Sequence, residues 1–223
     1  MSVFVTGTDT GVGKTSFTVW LLKRLRERSV RCAGYKPICC GDRDDAVQLL
    51  AASSPGLTIE EVNPVWLQTP AAPLTAARAE GREIDRISLR EGFVRLSERF
   101  DFIAVEGVGG WMVPIAKDYF SNDLAVELGL KVMVMAQNRL GCLNHTLLTV
   151  RMIDAACLPC AGVVLYDLAV GADPATTTNA EILGLCLSVP ILVHFDRQST
   201  EIPALLGQMM PEISHLLSSN ERL

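Results

Sequence analysis

The run Gly7-Thr8-Asp9-Thr10-Gly11-Val12-Gly13-Lys14-Thr15 sets three glycines, three threonines and a lysine after an apolar run, Val3-Phe4-Val5-Thr6, and leads into an amphipathic stretch that begins at Lys14. Glycines let the main chain turn consecutive N–H groups towards one anion, and a helix N-terminus behind them adds partial positive charge. Lys14 adds a full charge over the β- and γ-phosphates of a nucleoside triphosphate, and the Thr15 hydroxyl suits magnesium. The residues Gly11, Val12, Gly13, Lys14, Thr15 and Ser16 are therefore expected to bind the triphosphate. Five residues separate Gly7 from Gly13, where the common phosphate-loop motif has four. The added residue can bring Thr10 close to the transferring phosphoryl group, where its hydroxyl could also hold a second substrate.

Magnesium in such sites takes hard oxygen ligands, few of them from protein. Glu106 ends the run Phe102 to Val105 and opens Gly107-Val108-Gly109-Gly110. Its carboxylate is expected at the carboxyl edge of the sheet, beside the phosphate loop, with small residues behind it that allow close approach to a nucleotide. Asp45 is a second candidate ligand; its local sequence fits an ordinary helix-start carboxylate equally well. Lys36, in Tyr35-Lys36-Pro37, ends another strand at the same edge, where its charge can stabilise a phosphoryl group and an attacking oxyanion. Cys39 and Cys40 follow closely; adjacent cysteines disfavour an ordinary bridge, which leaves thiol reactivity open.

These residues need a scaffold, and the chain supplies one by alternation. Short apolar or β-branched runs at Ser2 to Thr6, Arg31 to Lys36, Asp101 to Glu106, Lys131 to Ala136, Ala161 to Tyr166 and Ile191 to Phe195 read as strands buried on both faces. Helices are predicted at Lys14 to Arg28, Asp44 to Ala52, Ser88 to Arg99, Asp123 to Leu128, Leu143 to Ala156, Thr177 to Leu187 and from Ile202 towards the C-terminus. The pattern predicts an α/β fold of the phosphate-loop NTPase type: one domain over residues 1–223, with a mostly parallel sheet and helices on both faces. Residues 53–81, rich in proline, are expected to form a loop-rich insertion over one edge of the sheet.

A net charge of -5 with 20 scattered basic residues argues against a nucleic-acid partner. No apolar run reaches the length of a membrane span, and the first strand begins beside Met1, so a soluble cytoplasmic protein is expected. Seven cysteines, an odd set among apolar neighbours, suit a reducing compartment. Cys157 and Cys160 form one CxxC with no second pair and no nearby histidine, which favours packing over zinc.

Four separated blocks now bear on identity: Phe4-Val5-Thr6-Gly7-Thr8-Asp9-Thr10 with Gly13-Lys14-Thr15; Ala33-Gly34-Tyr35-Lys36-Pro37; Val105-Glu106-Gly107 with Gly109-Gly110-Trp111; and Leu140-Gly141-Cys142-Leu143-Asn144-His145. In this order they resemble the dethiobiotin synthetase family, whose lengthened phosphate loop is shared. The resemblance implies an ATP- and magnesium-dependent ligase of biotin biosynthesis. Diaminopelargonic acid takes up carbon dioxide as a carbamate, the carbamate attacks the γ-phosphate, and the second amine closes a cyclic urea. It also implies that Lys14 and Lys36 stabilise phosphate and carbamate charge, that Thr15, Asp45 and Glu106 hold magnesium, and that Thr10 contacts substrate. Gly107, Val108 and Gly109 would border the nucleotide. Family members are homodimers, and the Gly141, Cys142, Leu143 and Asn144 segment would receive the substrate carboxylate at a site shared between subunits.

Two departures from the family pattern stand out. Cys40 occupies a position where the family often has a substrate-holding serine. Tyr166-Asp167 stands where Asn-Asp commonly reads adenine, and Pro190 to Asp196 also departs on that side, so the choice of nucleoside triphosphate stays open. Two other classes share parts of this pattern: a partitioning or positioning ATPase of the MinD and ParA kind, disfavoured by Asp9 where that group carries a signature lysine, and a related synthetase acting on another acid.

Overall fold

In a computed structural model of the protein, residues 1–167 and 174–192 are described, together with Gly207 and Pro211. Along the chain run β1 (Ser2–Gly7), α1 (Lys14–Glu27), β2 (Cys32–Tyr35), β3 (Ile38–Cys40), α2 (Asp44–Ala52), α3 (Ile59–Val62), β4 (Val65–Leu67), α4 (Pro73–Ala79) and α5 (Arg86–Ser97). There follow β5 (Phe102–Gly110), β6 (Pro114–Ala116), β7 (Tyr119–Phe120), α6 (Ser121–Leu128), β8 (Lys131–Gln137), α7 (Cys142–Ala155), β9 (Cys160–Tyr166), α8 (Pro174–Cys186) and β10 (Ile191–Leu192).

Six strands form one sheet in the order β10-β9-β8-β1-β5-β2, with every pairing parallel. Parallel neighbours require crossovers, and here helices supply them, so both faces are covered. Alternation along the strands divides the core. Val3 and Val5 of β1, with Met133 and Met135 of β8, pack against Phe17, Leu21 and Leu25 of α1 and Leu49 of α2. Phe4, Val105, Val132 and Val134 face the other way, towards Leu89 and Leu96 of α5, Leu124 of α6 and Ile153 of α7. Each such side chain contributes about 1.5–3 kcal/mol on burial.

The main strands and helices agree with the sequence-based expectation to within a few residues at their ends. β5 continues past Glu106 to Gly110, because Gly7 of β1 still pairs with Gly110 after a register shift. Residues 53–81 are less irregular than expected. They carry α3, opened by a capping box between Thr58 and Glu61, then β4, which pairs in parallel with β3, and α4 with proline in its first turn. The antiparallel pair β6–β7 was also not anticipated. Apart from Gly207 and Pro211, predicted structure beyond Leu192, including Val193 to Phe195 and the C-terminal helix, lies outside the described residues. Among the described residues no helix is long and apolar enough to cross a membrane.

Candidate active site

β1 lies between β5 and β8, and its carboxyl end delivers the chain into the phosphate loop. The loop is pinned where it leaves the sheet, Thr8 N–H donating to the Met135 carbonyl at 2.9 Å, and the Thr10 N–H donates to the Asp9 carboxylate at 2.7 Å. Gly13 then starts α1 in the left-handed region, at φ 92°, with no side-chain cap. The first turn of α1 carries no acidic residue of its own, and its free amides present the partial positive charge that suits an anion. The Tyr166 ring lies directly over Gly13: a Cβ there would stand 2.5 Å from Tyr166 Cδ1. Residue 13 must therefore be glycine for conformation and for space.

The start of α1, the end of β2, the start of α2 and the middle of β5 converge on one charged cluster. Lys36 Nζ donates to Asp45 Oδ2 at 2.8 Å, to Glu106 Oε1 at 2.7 Å and to the Gly107 carbonyl at 3.5 Å. Thr15 Oγ1 lies 2.7 Å from Asp45 Oδ1 and 2.8 Å from Glu106 Oε1. Lys36 and Glu106 are buried, at 3% and 1% exposure. Burial works against the Lys36 charge, but Glu106 and Asp45 outweigh it and hold its pKa above the ordinary lysine range. Asp45 also loses solvation, yet the adjacent Lys36 and the Thr15 hydrogen bond hold its carboxyl below the usual range. Lys14 is buried as well, with Lys36 as a like-charged neighbour, and its pKa is lowered to about 8. Its Nζ donates to the Asp9 carbonyl at 3.1 Å, back along the phosphate loop.

This donor set fits magnesium. Thr15 Oγ1 carries one proton but meets two carboxylate oxygens, and Glu106 Oε2 is buried without a partner among the described residues. A small oxygen-seeking cation answers both conditions with few protein ligands. No group of three or more His, Cys, Asp or Glu that could hold a metal occurs among the described residues.

A cleft of about 730 Å³ opens over the cluster. Of the residues expected at the site, Thr10, Gly11, Gly13, Lys14, Thr15, Ser16, Lys36, Cys40, Asp45, Val108 and Gly109 line it. Glu106 and the Gly107 carbonyl lie beneath it through their bonds to Lys36, and Val12 is buried in the core that supports the loop. Thr10 Oγ1 sits beside Gly109, 3.6 Å from where a Cβ would stand. Burial raises the thiols of Cys40 and Cys39 to about 11, which makes both weak nucleophiles. Pro70, Ala71, Ala72 and Pro73 form the opposite wall, a contribution of residues 53–81 that carried no sequence signal.

A hydrogen-bonded group surrounds Tyr166 and Asp167, the residues expected to meet the nucleoside. Asn138 Nδ2 donates to Asp167 Oδ1 at 2.9 Å, Asn138 N–H to the Tyr166 carbonyl at 2.9 Å, and Asn179 Nδ2 to Asn138 Oδ1 at 2.8 Å. Asn138 and Asn179 were not anticipated; a polar residue directly after the apolar run of β8 was the available signal. Gly141, Cys142, Leu143 and Asn144 form the start of α7, with Gly141 at φ 90°, and are not among the residues that line the cleft.

A glycine-rich loop joining a central parallel strand to its helix, with lysine, threonine and carboxylates gathered at its mouth, defines a phosphate-loop NTPase-type α/β protein. Residues 1–200 match the family model described as "AAA domain". A protein of Akkermansia muciniphila named ATP-dependent dethiobiotin synthetase is 40% identical over 188 residues, covering 84% of this chain and 88% of that protein. One of the same name from Anaeromyxobacter sp. (strain K) is 40% identical over 215 residues, 92% of this chain and 96% of its own. The chain belongs to the ATP-dependent dethiobiotin synthetase family and is a ligase-type enzyme. Among solved structures, the cell division ATPase MinD of Pyrococcus furiosus is similar in fold, with a TM-score of 0.57 at 17% identity, covering 96% of this chain and 99% of that one.

Proposed function

We propose that the chain converts 7,8-diaminopelargonic acid, carbon dioxide and ATP into dethiobiotin, ADP and phosphate. One substrate amine adds its lone pair to carbon dioxide and loses a proton, giving a carbamate. A carbamate oxygen attacks the γ-phosphorus and ADP departs, leaving a carbamic-phosphoric anhydride. The second amine attacks the carbonyl carbon, phosphate leaves with the C–O bond electrons, and loss of a proton completes the cyclic urea. Thr15, Asp45 and Glu106 would hold magnesium, which would supply charge neutralisation to the phosphates. Lys14 and the first-turn amides of α1 bind the phosphates, Lys36 stabilises charge shared between carbamate and phosphoryl group, and Thr10 orients substrate.

The observation that carries this proposal is Lys36: a buried ammonium, held charged by Asp45 at 2.8 Å and Glu106 at 2.7 Å, opening onto the phosphate loop. A fixed charge in a dry site stabilises a developing anion without reorganisation, and losing such a stabiliser costs ~10²–10³ in rate. The test is incubation of purified protein with the diamine, bicarbonate, magnesium and each nucleoside triphosphate in turn. No cyclic urea with any of them refutes the function, and the nucleotide that supports turnover settles the base that Tyr166 and Asp167 accept. Lys36→Ala should abolish product while nucleotide still binds; a fully active variant removes Lys36 from the mechanism.

The active unit is proposed to be a homodimer. Leu140, Leu148 and Met152, at the start and on one side of α7, are exposed, at 75%, 56% and 43%. A second copy seated there brings the amino-terminal end of α7, a natural carboxylate site, into position to serve its partner's substrate. A monomeric sedimentation profile at assay concentration contradicts this arrangement.

A further inference from the structure

We infer that Asn63, outside the cleft, is a positioning residue for Lys36 and Asp45. The inference builds on the role proposed for Lys36. Asn63 lies in residues 53–81, between α3 and β4, and is completely buried. Its carboxamide makes three hydrogen bonds: Nδ2 donates to the Lys36 carbonyl at 2.8 Å and the Val65 carbonyl at 3.0 Å, and Oδ1 accepts from Arg43 Nε at 2.8 Å.

Those partners tie together the two elements that the charged cluster depends on. Lys36 leaves β2 just before Pro37, and its main chain is held on both sides by the same segment. Lys36 N–H donates to the Val62 carbonyl at 2.8 Å, and Val65 N–H donates to the Pro37 carbonyl at 3.2 Å. Arg43 precedes α2, whose first turn carries Asp45. Its guanidinium is fixed by Asn63 Oδ1, by the Asn63 carbonyl at 2.7 Å, and by the Trp66 ring at 5.4 Å. Asn63 thus sets the separation between the strand end that carries Lys36 and the helix start that carries Asp45. That separation is read out as the 2.8 Å ion pair.

A carboxamide suits this place because it offers two protons on one atom and a lone-pair oxygen on another. Asparagine at a fully buried position, with each end directed to a different element, fixes the order of the elements as well as filling space. Asn63→Asp keeps the shape and the Arg43 contact but turns an acceptor towards two carbonyls. Asn63→Ala removes all three side-chain hydrogen bonds and keeps only the main-chain carbonyl that Arg43 meets. Arg43→Ala leaves Asn63 in place and releases α2, which covers the case in which both Asn63 variants fail to fold.

The experiment combines steady-state kinetics with a signal that does not depend on turnover. In the parent, the Lys36 ammonium protons are held by Asp45, Glu106 and Gly107 and are expected to be visible in a ¹H–¹⁵N correlation spectrum. In the variants this signal should shift or vanish, and kcat per folded molecule should fall tenfold or more while the KM for ATP moves less than threefold. An unchanged Lys36 signal, or kcat within twofold of the parent in variants that fold, overturns the inference, even when the melting temperature falls. If the parent forms no cyclic urea, the proposed function fails, and the Lys36 signal alone decides the positioning role.

Discussion

Replacing Lys36 by methionine keeps the volume of the stem and removes the charge, which isolates the electrostatic part of its role. Glu106 is then a carboxylate at 1% exposure with no cation against it. Breaking a buried pair by removing one partner costs about 3–5 kcal/mol. For a domain of this size each kcal/mol shifts the melting temperature by roughly 2–4 °C, so the variant should melt roughly 6–20 °C below the parent. Asp45, with its side chain 43% exposed, adds little to the loss, because solvent screens it. The pH dependence has a definite sign. The Lys36 pKa is raised, so its contribution in the parent is complete below the unfolded lysine value of about 10.4; the Asp45 pKa is lowered, so its contribution is complete above about 3.9. Between those limits the parent keeps both. In the variant the penalty is the charge left on the buried Glu106. Adding Glu106→Gln to Lys36→Met removes both charges and should recover most of the loss. Thermal unfolding followed by circular dichroism, on all three proteins, measures this. A penalty below about 1 kcal/mol, the range of exposed pairs, or no recovery in the double variant, refutes the claim that Lys36 and Glu106 are an interdependent buried pair.

Two further outcomes follow from the phosphate loop. The Lys14 pKa is lowered to about 8 by burial and by Lys36, so its ammonium is disfavoured in the folded protein and stability should rise with pH from about 8 towards about 10.4. A bound triphosphate restores the charge, so nucleotide binding at pH 8 should take up about half a proton, measured by calorimetry in buffers of different ionisation enthalpy; no uptake contradicts the assignment of Lys14 as the phosphate-facing amine. Gly13→Ala should weaken nucleotide binding at least tenfold and lower stability by about 1–3 kcal/mol, because the added methyl meets both a φ of 92° and the Tyr166 ring. Tyr166→Ala in the same chain should relieve the ring contact and leave the backbone strain; full recovery shows that strain at residue 13 is unimportant.

What could be read from the sequence follows the length over which a pattern repeats. Strands such as Lys131 to Gln137 and helices such as Lys14 to Glu27 repeat their apolar positions often enough to be seen. β3, β4 and β6 have three residues each, which is too short for alternation to show, and Pro37, Pro64 and Pro114 argue locally against strand. α3 left a trace in Thr58 and Glu61, the two ends of its capping box. At the site, Lys14, Thr15, Lys36 and Asp45 are legible because each stands at the end of a strand or the start of a helix, where chemistry collects in parallel α/β folds, and Glu106 is legible from the glycine-rich run that follows it, although β5 continues through it. Asn63 was not, because its importance lies in a bond to a residue 27 positions away. Nor was the contact between Tyr166 and Gly13, which depends on β9 and the phosphate loop meeting in space.

The formal charges around Lys36 offset one another: Lys14 and Lys36 contribute +2, Asp45 and Glu106 contribute -2, and Asp42, which also lines the cleft, brings the side chains there to -1. Those side chains have no surplus positive charge to offer a naked polyanion, which leaves that attraction to the first-turn amides of α1. On the proposed function, a cation carried in with the nucleotide would supply the missing charge, and the same two carboxylates that offset the lysines would receive it. Such a balance would favour the metal–nucleotide pair over the nucleotide alone.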